Sequence, residues 1–322
     1  MTLPPEVDVV LNQASSVYTL GLSKESDEVT YLPSPSKRTA VFGFWIAPGR
    51  PRTGEPTISP LLRPPLESFA TVPLDSPSRP GAFAAALRDA LLDGRIDLAV
   101  HSFKDLPSAP MPGLVIPAIP TRRSPADVLV TPTGGSLADL AVGARVGTSS
   151  PRRAAALRRA RPDLVIVPIR GNVDTRVAAV TAGTVDAVVL AQAGLERLGH
   201  LTDQMTPIPT SILLPAPAQG ALAVECRAVD PLADQLARLD DAHARIEVTA
   251  ERAVLTGVAA ACTTAVGALA RWSSGVLTLA AELSDHRGVA FVRRDSARHL
   301  ADVHDLAGAA ALGAAVARDL LA

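Results

Sequence analysis

The sequence predicts an α/β fold with a parallel sheet and a small, separate α+β domain at its C-terminal end. Three observations carry this. From residue 81 onward, short apolar runs alternate with helical stretches, the pattern of strands joined by crossover helices. The run at residues 185–191 is nearly all apolar, as a strand covered on both faces requires. Hydrophobic residues make up 48 % of the chain but aromatics only 3 %, so Ala and Val supply much of the apolar content. That suits helices packed on strands better than an aromatic-rich sandwich.

The elements follow in order. Residues 1–80 hold 13 of the 28 prolines, a density that breaks helices and central strands. Within them, residues 7–11 and 39–46 read as short strands. Residues 82–92 read as a helix closed by Gly94 at its C-cap. A strand at 96–100 then ends in His101-Ser102-Phe103-Lys104-Asp105-Leu106-Pro107. A strand at 144–147 leads into a helix at 152–161, opened by Thr148-Ser149-Ser150-Pro151. A strand at 164–168, the loop Arg170-Gly171-Asn172, a helix at 174–181 and the strand at 185–191 continue the alternation. Pro215-Ala216-Pro217-Ala218 reads as a crossing segment between domains, followed by a strand at 220–227 and a helix at 249–258. The tail reads as strands at 277–283 and 289–293 and an Ala-rich helix at 306–321.

Bulk properties exclude several classes. A chain of 322 residues has room for two or three domains. A net charge of −1 with 20 % charged residues provides no global field toward nucleic acid or membrane. No apolar run reaches the roughly 18 residues of a membrane span, and no basic region precedes an apolar stretch at Met1, so no signal peptide is expected. Two cysteines cannot build a disulfide framework, and a cytosolic protein with reduced thiols is the expectation. No Cys/His spacing points to a metal site.

Ser149-Ser150-Pro151-Arg152-Arg153 is the strongest local signal. Ser150 is a good N-cap and Pro151 fits the first helical position. The free N–H groups and the helix dipole there favour an anion. Arg152 and Arg153 oppose that dipole, so the segment requires a compensating anion. The alternative is a solvated basic helix. Arg170 and Arg176 flank the next strand–loop–helix junction, and Arg197 follows the strand at 185–191. In open α/β sheets ligands bind beyond the carboxyl ends of strands, and arginine forks match carboxylates. Converging arginines point to a polycarboxylate, although any one of them alone reads equally as a surface ion pair. Asp105, beside Lys104 at a strand end, is placed to stabilise a cation or move a proton, or else simply forms a turn. Cys226 reads as a buried structural thiol. Cys262 sits among small residues in Ala259-Ala260-Ala261-Cys262-Thr263-Thr264. It is either an inert thiol or a nucleophile and attachment point.

Taken together, these segments resemble the porphobilinogen deaminase (hydroxymethylbilane synthase) family. The resemblance rests on Val100-His101-Ser102-Phe103-Lys104-Asp105-Leu106-Pro107, Val146-Gly147-Thr148-Ser149-Ser150-Pro151-Arg152-Arg153 and Ile169-Arg170-Gly171-Asn172-Val173-Asp174-Thr175-Arg176. It continues through Leu190-Ala191-Gln192-Ala193-Gly194-Leu195-Glu196-Arg197-Leu198-Gly199, Leu214-Pro215-Ala216-Pro217-Ala218-Gln219-Gly220-Ala221 and Thr249-Ala250-Glu251-Arg252-Ala253. It implies two periplasmic-binding-protein-like α/β domains and a small C-terminal α+β domain, with residues 1–120 and 218–240 in the first, 121–217 in the second and 241–322 in the third. It also implies a dipyrromethane cofactor held by a thioether on Cys262, with Asp105 as the catalytic carboxylate. Lys104, Ser149, Ser150, Arg152, Arg153 and Gly194 would bind the cofactor, and Arg170, Arg176, Arg197 and Gln219 the substrate. The implied reaction joins four porphobilinogen molecules head to tail with loss of ammonia and releases hydroxymethylbilane. The implied protein is a cytoplasmic monomer with a small-molecule substrate and neither nucleic-acid nor membrane partners.

The sequence departs from the family pattern in three places. The Thr-Arg-Gly-Ser-type turn that normally follows the first strand is absent. Pro77-Ser78-Arg79-Pro80-Gly81 stands where a glycine-rich loop with a lysine is usual, and Ala260 and Ala261 stand where glycines usually precede the cysteine. Two alternatives stay open on these grounds: a family member that binds a polycarboxylate without turnover, and an anion-binding module that is no enzyme.

Overall fold

The structure is a computed structural model that describes residues 6–10, 17–22, 29–33, 82–94, 96–200, 202, 204–259 and 265–322. The expected strand at 39–46 and Cys262 lie outside these residues. The described residues fall into two compact units, one containing residues up to 120 together with 222–241, the other residues 121–221 and 242–322.

The first unit opens with an antiparallel meander, β1 (Glu6–Val10), β2 (Val17–Leu22) and β3 (Val29–Pro33), in the order β1-β2-β3. Helix α1 (Ala82–Leu92) follows, and Gly94 takes the left-handed φ of 68° expected of a C-cap glycine. Strands β4 (Leu98–Ser102) and β5 (Leu114–Ala118) flank the later β11 (Leu222–Arg227), which runs antiparallel to both. Alternation along β4 divides two cores. Leu98 and Val100 pack with Val224, Cys226 and Leu236, whereas Ala99 packs with Leu87 and Leu91 of α1. Leu236 ends a short helix, α5 (Leu232–Leu236).

In the second unit a five-stranded sheet has the order β10-β6-β9-β7-β8. Its strands are β6 (Asp127–Val130), β7 (Arg145–Gly147), β8 (Val165–Val167), β9 (Ala187–Ala191) and β10 (Met205–Pro207). The helices α2 (Pro151–Ala160), α3 (Val173–Thr181) and α4 (Gln192–Arg197) connect them. The C-terminal part is an antiparallel meander, β12 (Ala265–Ser273), β13 (Val276–Ser284) and β14 (Phe291–His299), packed on α6 (Ala242–Gly257) and α7 (Leu306–Leu321). The two helices approach closely because small residues face each other: a Cβ on Gly313 would collide with the carbonyl oxygen of Ala250.

The expectation of a parallel sheet is corrected. Strands β7, β8 and β9 are parallel, but β6 runs antiparallel to both of its neighbours, and β11 does the same in the first unit. Both exceptions are the strands by which the chain enters or re-enters a sheet without a crossover helix, so the connection that makes neighbours parallel is missing there. The helix expected at 249–258 begins earlier, at Ala242. Strands β2, β3, β5, β6, β10 and β12 add to those expected. They are short or carry Pro, Asp and Gly, which dilute the strand signal.

Candidate active site

In the first unit, β4 is buried along Leu98, Ala99 and Val100 and runs into a 3-10 turn at Phe103–Asp105. Phe103 is buried and anchors the turn, Lys104 is half-buried and Asp105 is exposed. Leu106 donates its N–H to the Phe103 carbonyl and then takes extended angles (φ −77°, ψ 138°), as a residue before proline must. The strand thus delivers Lys104 and Asp105 to a solvent-accessible turn on a rigid base.

Beneath this turn, His101 is 1 % exposed, and its Nε2 lies 3.1 Å from Oε2 of Glu225 on β11. Arg88 of α1 reaches the same carboxylate through Nε (3.0 and 3.1 Å) and Nη2 (2.9 Å). Burial pushes the Glu225 carboxyl up, but the bonds and charges of His101 and Arg88 outweigh it and hold the group below its ordinary value. His101 is therefore packed inside the protein beside the Arg88–Glu225 ion pair. Cys226 is fully buried, and burial pushes its thiol up to about 11, which makes it an inert structural cysteine.

In the second unit, Ser150 caps α2 by accepting the Arg153 N–H, and Pro151 occupies the first turn. Ser149 Oγ donates to the Ile169 carbonyl at 2.7 Å, tying this cap to the loop that carries Arg170. The first-turn arginines fold inward, each 6 % exposed, onto Asp127, the first residue of β6 and itself 2 % exposed. Arg152 Nη1 donates to Asp127 Oδ2 (2.7 Å) and to the Leu214 carbonyl. Arg153 donates Nε (3.0 Å) and Nη2 (2.6 Å) to Oδ1 and Nη1 to the Val189 carbonyl (2.9 Å). Gln219 Nε2 adds a bond to Oδ1 at 3.0 Å. Burial alone would raise the Asp127 carboxyl, but the charges of Arg152 and Arg153, with hydrogen bonds from Arg152 and Gln219, hold it well below the carboxylate range. An anion at the start of α2 was required, and Asp127 is one, supplied by the chain itself.

Asp127 is the one carboxylate hydrogen-bonded to both guanidiniums, and Glu282 reaches Arg152 only through its charge. Among the described residues, Nε and Nη2 of Arg152 have no partner, and Arg170 has none at all. Arg176 donates Nε to the Gly171 carbonyl at 2.9 Å and leaves its terminal nitrogens without a partner among the same residues. Burial and then the like charge of Arg153 make the Arg176 guanidinium easier to deprotonate, so the two lie within electrostatic reach. Arg197, at the end of α4, donates to the Gly220 carbonyl at 2.8 Å, and Gly194 in the same helix accepts the Leu198 N–H. Residue 220 has to be glycine: its φ is 88°, and a Cβ there would strike the Arg123 carbonyl. The structure thus brings Arg152, Arg153 and Gln219 together around Asp127 and sets Arg176 near Arg153. Arg170 stands outside that hydrogen-bonded cluster.

The organising carboxylates escaped the sequence reading. Asp127 in Ala126-Asp127-Val128-Leu129-Val130 carried a usable signal, since an acid entering an apolar strand needs buried partners. Glu251 of α6 is another. Fully buried, it accepts from Arg122 (2.8 and 2.9 Å), from the Ala218 N–H (2.6 Å) and from the Ala270 N–H (2.9 Å). It fixes the crossing segment to the C-terminal sheet.

A family model described as "Porphobilinogen deaminase, dipyromethane cofactor binding domain" matches residues 68–235. The porphobilinogen deaminase of Nocardia farcinica (strain IFM 10152) is 50 % identical over 248 residues, covering 75 % of this chain and 71 % of that protein. The chain belongs to the porphobilinogen deaminase family. The porphobilinogen deaminase of Acidothermus cellulolyticus (strain ATCC 43068 / DSM 8971 / 11B) is 49 % identical over 245 residues, 74 % of each chain. Among solved structures, a putative methionine-binding lipoprotein from Bacillus subtilis shares 14 % identity over 47 % of this chain and 72 % of that one, with a TM-score of 0.33. A likeness this small supports no structural conclusion. Among the described residues no helix is long and apolar enough to cross a membrane, and no cluster of His, Cys, Asp and Glu is suited to a metal ion.

Proposed function

We propose that this family member acts as a hydroxymethylbilane synthase, a transferase that joins four porphobilinogen molecules head to tail with loss of ammonia. The observation that carries this reading is the set of guanidinium N–H groups on Arg152, Arg170 and Arg176 that have no hydrogen-bond partner among the described residues. Such a set matches a ligand rich in carboxylates, and the acetate and propionate groups of a dipyrromethane and of a growing pyrrole chain are such a ligand. When bound, the dipyrromethane supplies the covalent anchor on which the chain grows.

The chain's own residues divide the work. Cys262 anchors the cofactor. Lys104, Ser149, Ser150, Arg152, Arg153 and Gly194 hold its side groups, while Arg170, Arg176, Arg197 and Gln219 hold those of the substrate. Asp105 acts at the pyrrole nitrogen. Loss of ammonia from porphobilinogen leaves positive charge shared with that N–H, and a carboxylate there stabilises the cation and steers the proton. This reading also partitions the chain into three domains, residues 1–120 with 218–240, 121–217 and 241–322. It places a monomeric protein in the cytoplasm, without nucleic-acid or membrane partners.

Intact-mass measurement of the purified protein tests the reading. We expect an added two-pyrrole mass that disappears in Cys262→Ala, and consumption of porphobilinogen by the unsubstituted protein. An unmodified mass with no bilane formed overturns it, and a modified mass without turnover leaves a ligand-holding family member.

A further inference from the structure

We propose that Asp127 is a positioning residue: it holds Arg152 by a single nitrogen, so that the Nε/Nη2 edge of that guanidinium stays open to grip a ligand carboxylate side-on. This inference rests on the deaminase reading above and assigns a role to a residue that the reading does not use.

The two adjacent arginines are held in different ways. Arg153 turns its Nε/Nη2 edge onto Asp127 Oδ1 (3.0 and 2.6 Å) and its remaining terminal nitrogen onto the Val189 carbonyl (2.9 Å). Arg152 gives only Nη1, shared between Asp127 Oδ2 at 2.7 Å and the Leu214 carbonyl. The parallel N–H groups on Nε and Nη2 are the pair that matches both oxygens of a carboxylate. In Arg152 that pair has no partner among the described residues, and neither atom is among the sealed, unsatisfied ones. Asp127 is itself fixed, at the first position of β6 with Gln219 Nε2 on Oδ1 at 3.0 Å. Without this carboxylate, two neighbouring guanidiniums that are each 6 % exposed repel one another, and only the neutral Leu214 carbonyl remains to hold Arg152 Nη1 against that repulsion.

The test is a double-mutant cycle on the full chain with Asp127→Asn, Arg152→Lys and their combination. The readouts are the fraction carrying the two-pyrrole mass, the KM and kcat for porphobilinogen, and the thermal midpoint. Arg152→Lys keeps the positive charge but removes the fork, so it isolates the side-on grip. We expect Arg152→Lys to lower the loaded fraction, or raise KM, by about tenfold with little change in midpoint, as loss of an orienting partner typically does. Asp127→Asn should produce a similar loss, and the double variant should be no worse than the more impaired single. Losses that multiply, or an Asp127→Asn protein loaded and active like the unsubstituted one, overturn the proposal. Should Asp127→Asn not fold, Asp127→Glu takes its place in the same cycle: it should lower loading alone and add nothing to Arg152→Lys, and a multiplied loss again overturns the role. An unsubstituted protein that carries no two-pyrrole mass fails the deaminase reading instead, so the two failures are separable.

Discussion

Each of the two units holds a buried carboxylate with basic partners near a set of candidate site residues, yet the two carboxylates, Glu225 and Asp127, stand in different relations to those residues. In the first unit, Glu225 takes Arg88 and His101, and the exposed Asp105 sits a turn away at the end of β4. In the second, Asp127 bonds directly to Arg152, Arg153 and Gln219, which are themselves candidate ligand residues. On the proposed roles, the buried carboxylate and the chemistry are therefore a turn apart in the first unit, whereas in the second the buried carboxylate touches the proposed ligand residues directly. A substitution at Glu225 should act on the fold, one at Asp105 on turnover, and one at Asp127 on both.

The sharpest way to break this contrast is Asp105→Asn. Turnover should fall by about two to four orders of magnitude, the usual worth of a positioned proton-transfer group, with the cofactor mass and thermal midpoint unchanged. Turnover within a few-fold of the unsubstituted protein would remove Asp105 from its role. Glu225→Gln comes next. It leaves Arg88 and His101 buried without their anion, which costs about 3–5 kcal/mol when one partner of a buried pair is removed. Denaturant unfolding should show that loss, while the fraction of folded protein carrying the two-pyrrole mass stays unchanged. A folded Glu225→Gln protein with impaired loading would show that the two functions are not separated in the first unit.

The smallest effect concerns pH and lies within the second unit. Asp127 has a depressed carboxyl, so its contribution is present above the ordinary carboxylate range and is lost only as pH falls below it. Glu282 on β13 is 3 % exposed. Burial raises its carboxyl despite Arg159, whose Nη2 is 3.7 Å away, and despite the charges of Arg152 and Arg293. Its sign is opposite: the folded state favours the protonated form, so stability is fullest below the ordinary carboxylate range and declines as pH rises through the folded value. Glu282→Gln should accordingly raise the thermal midpoint at pH 8 and leave it unchanged near pH 4. A lowered midpoint at pH 8 would show that the Arg159 contact outweighs burial.

Much of the arrangement was legible in the sequence because it rests on local rules. The Ser150 cap with Pro151 behind it, the helix at Ala82–Leu92 with Gly94 in the left-handed region, and the apolar β9 all follow from capping, φ and periodicity. The direction of β6 and β11 was not legible, because strand polarity depends on which neighbour a strand joins and by what connection. The open edge of Arg152 was equally hidden, since Arg152 and Arg153 look identical as letters and differ only in how they meet Asp127.

The sequence by itself determined the α/β class and the family and named the basic residues proposed to hold a polycarboxylate, because these depend on composition, spacing and short-range backbone rules. Only the tertiary structure decided which of those residues are spent inside the protein. A guanidinium has five N–H groups to distribute, and whether a carboxylate 25 positions away takes one edge or the other is a matter of three-dimensional placement. That placement leaves Arg152, Arg170 and Arg176 with N–H groups to offer and commits Arg153 to Asp127.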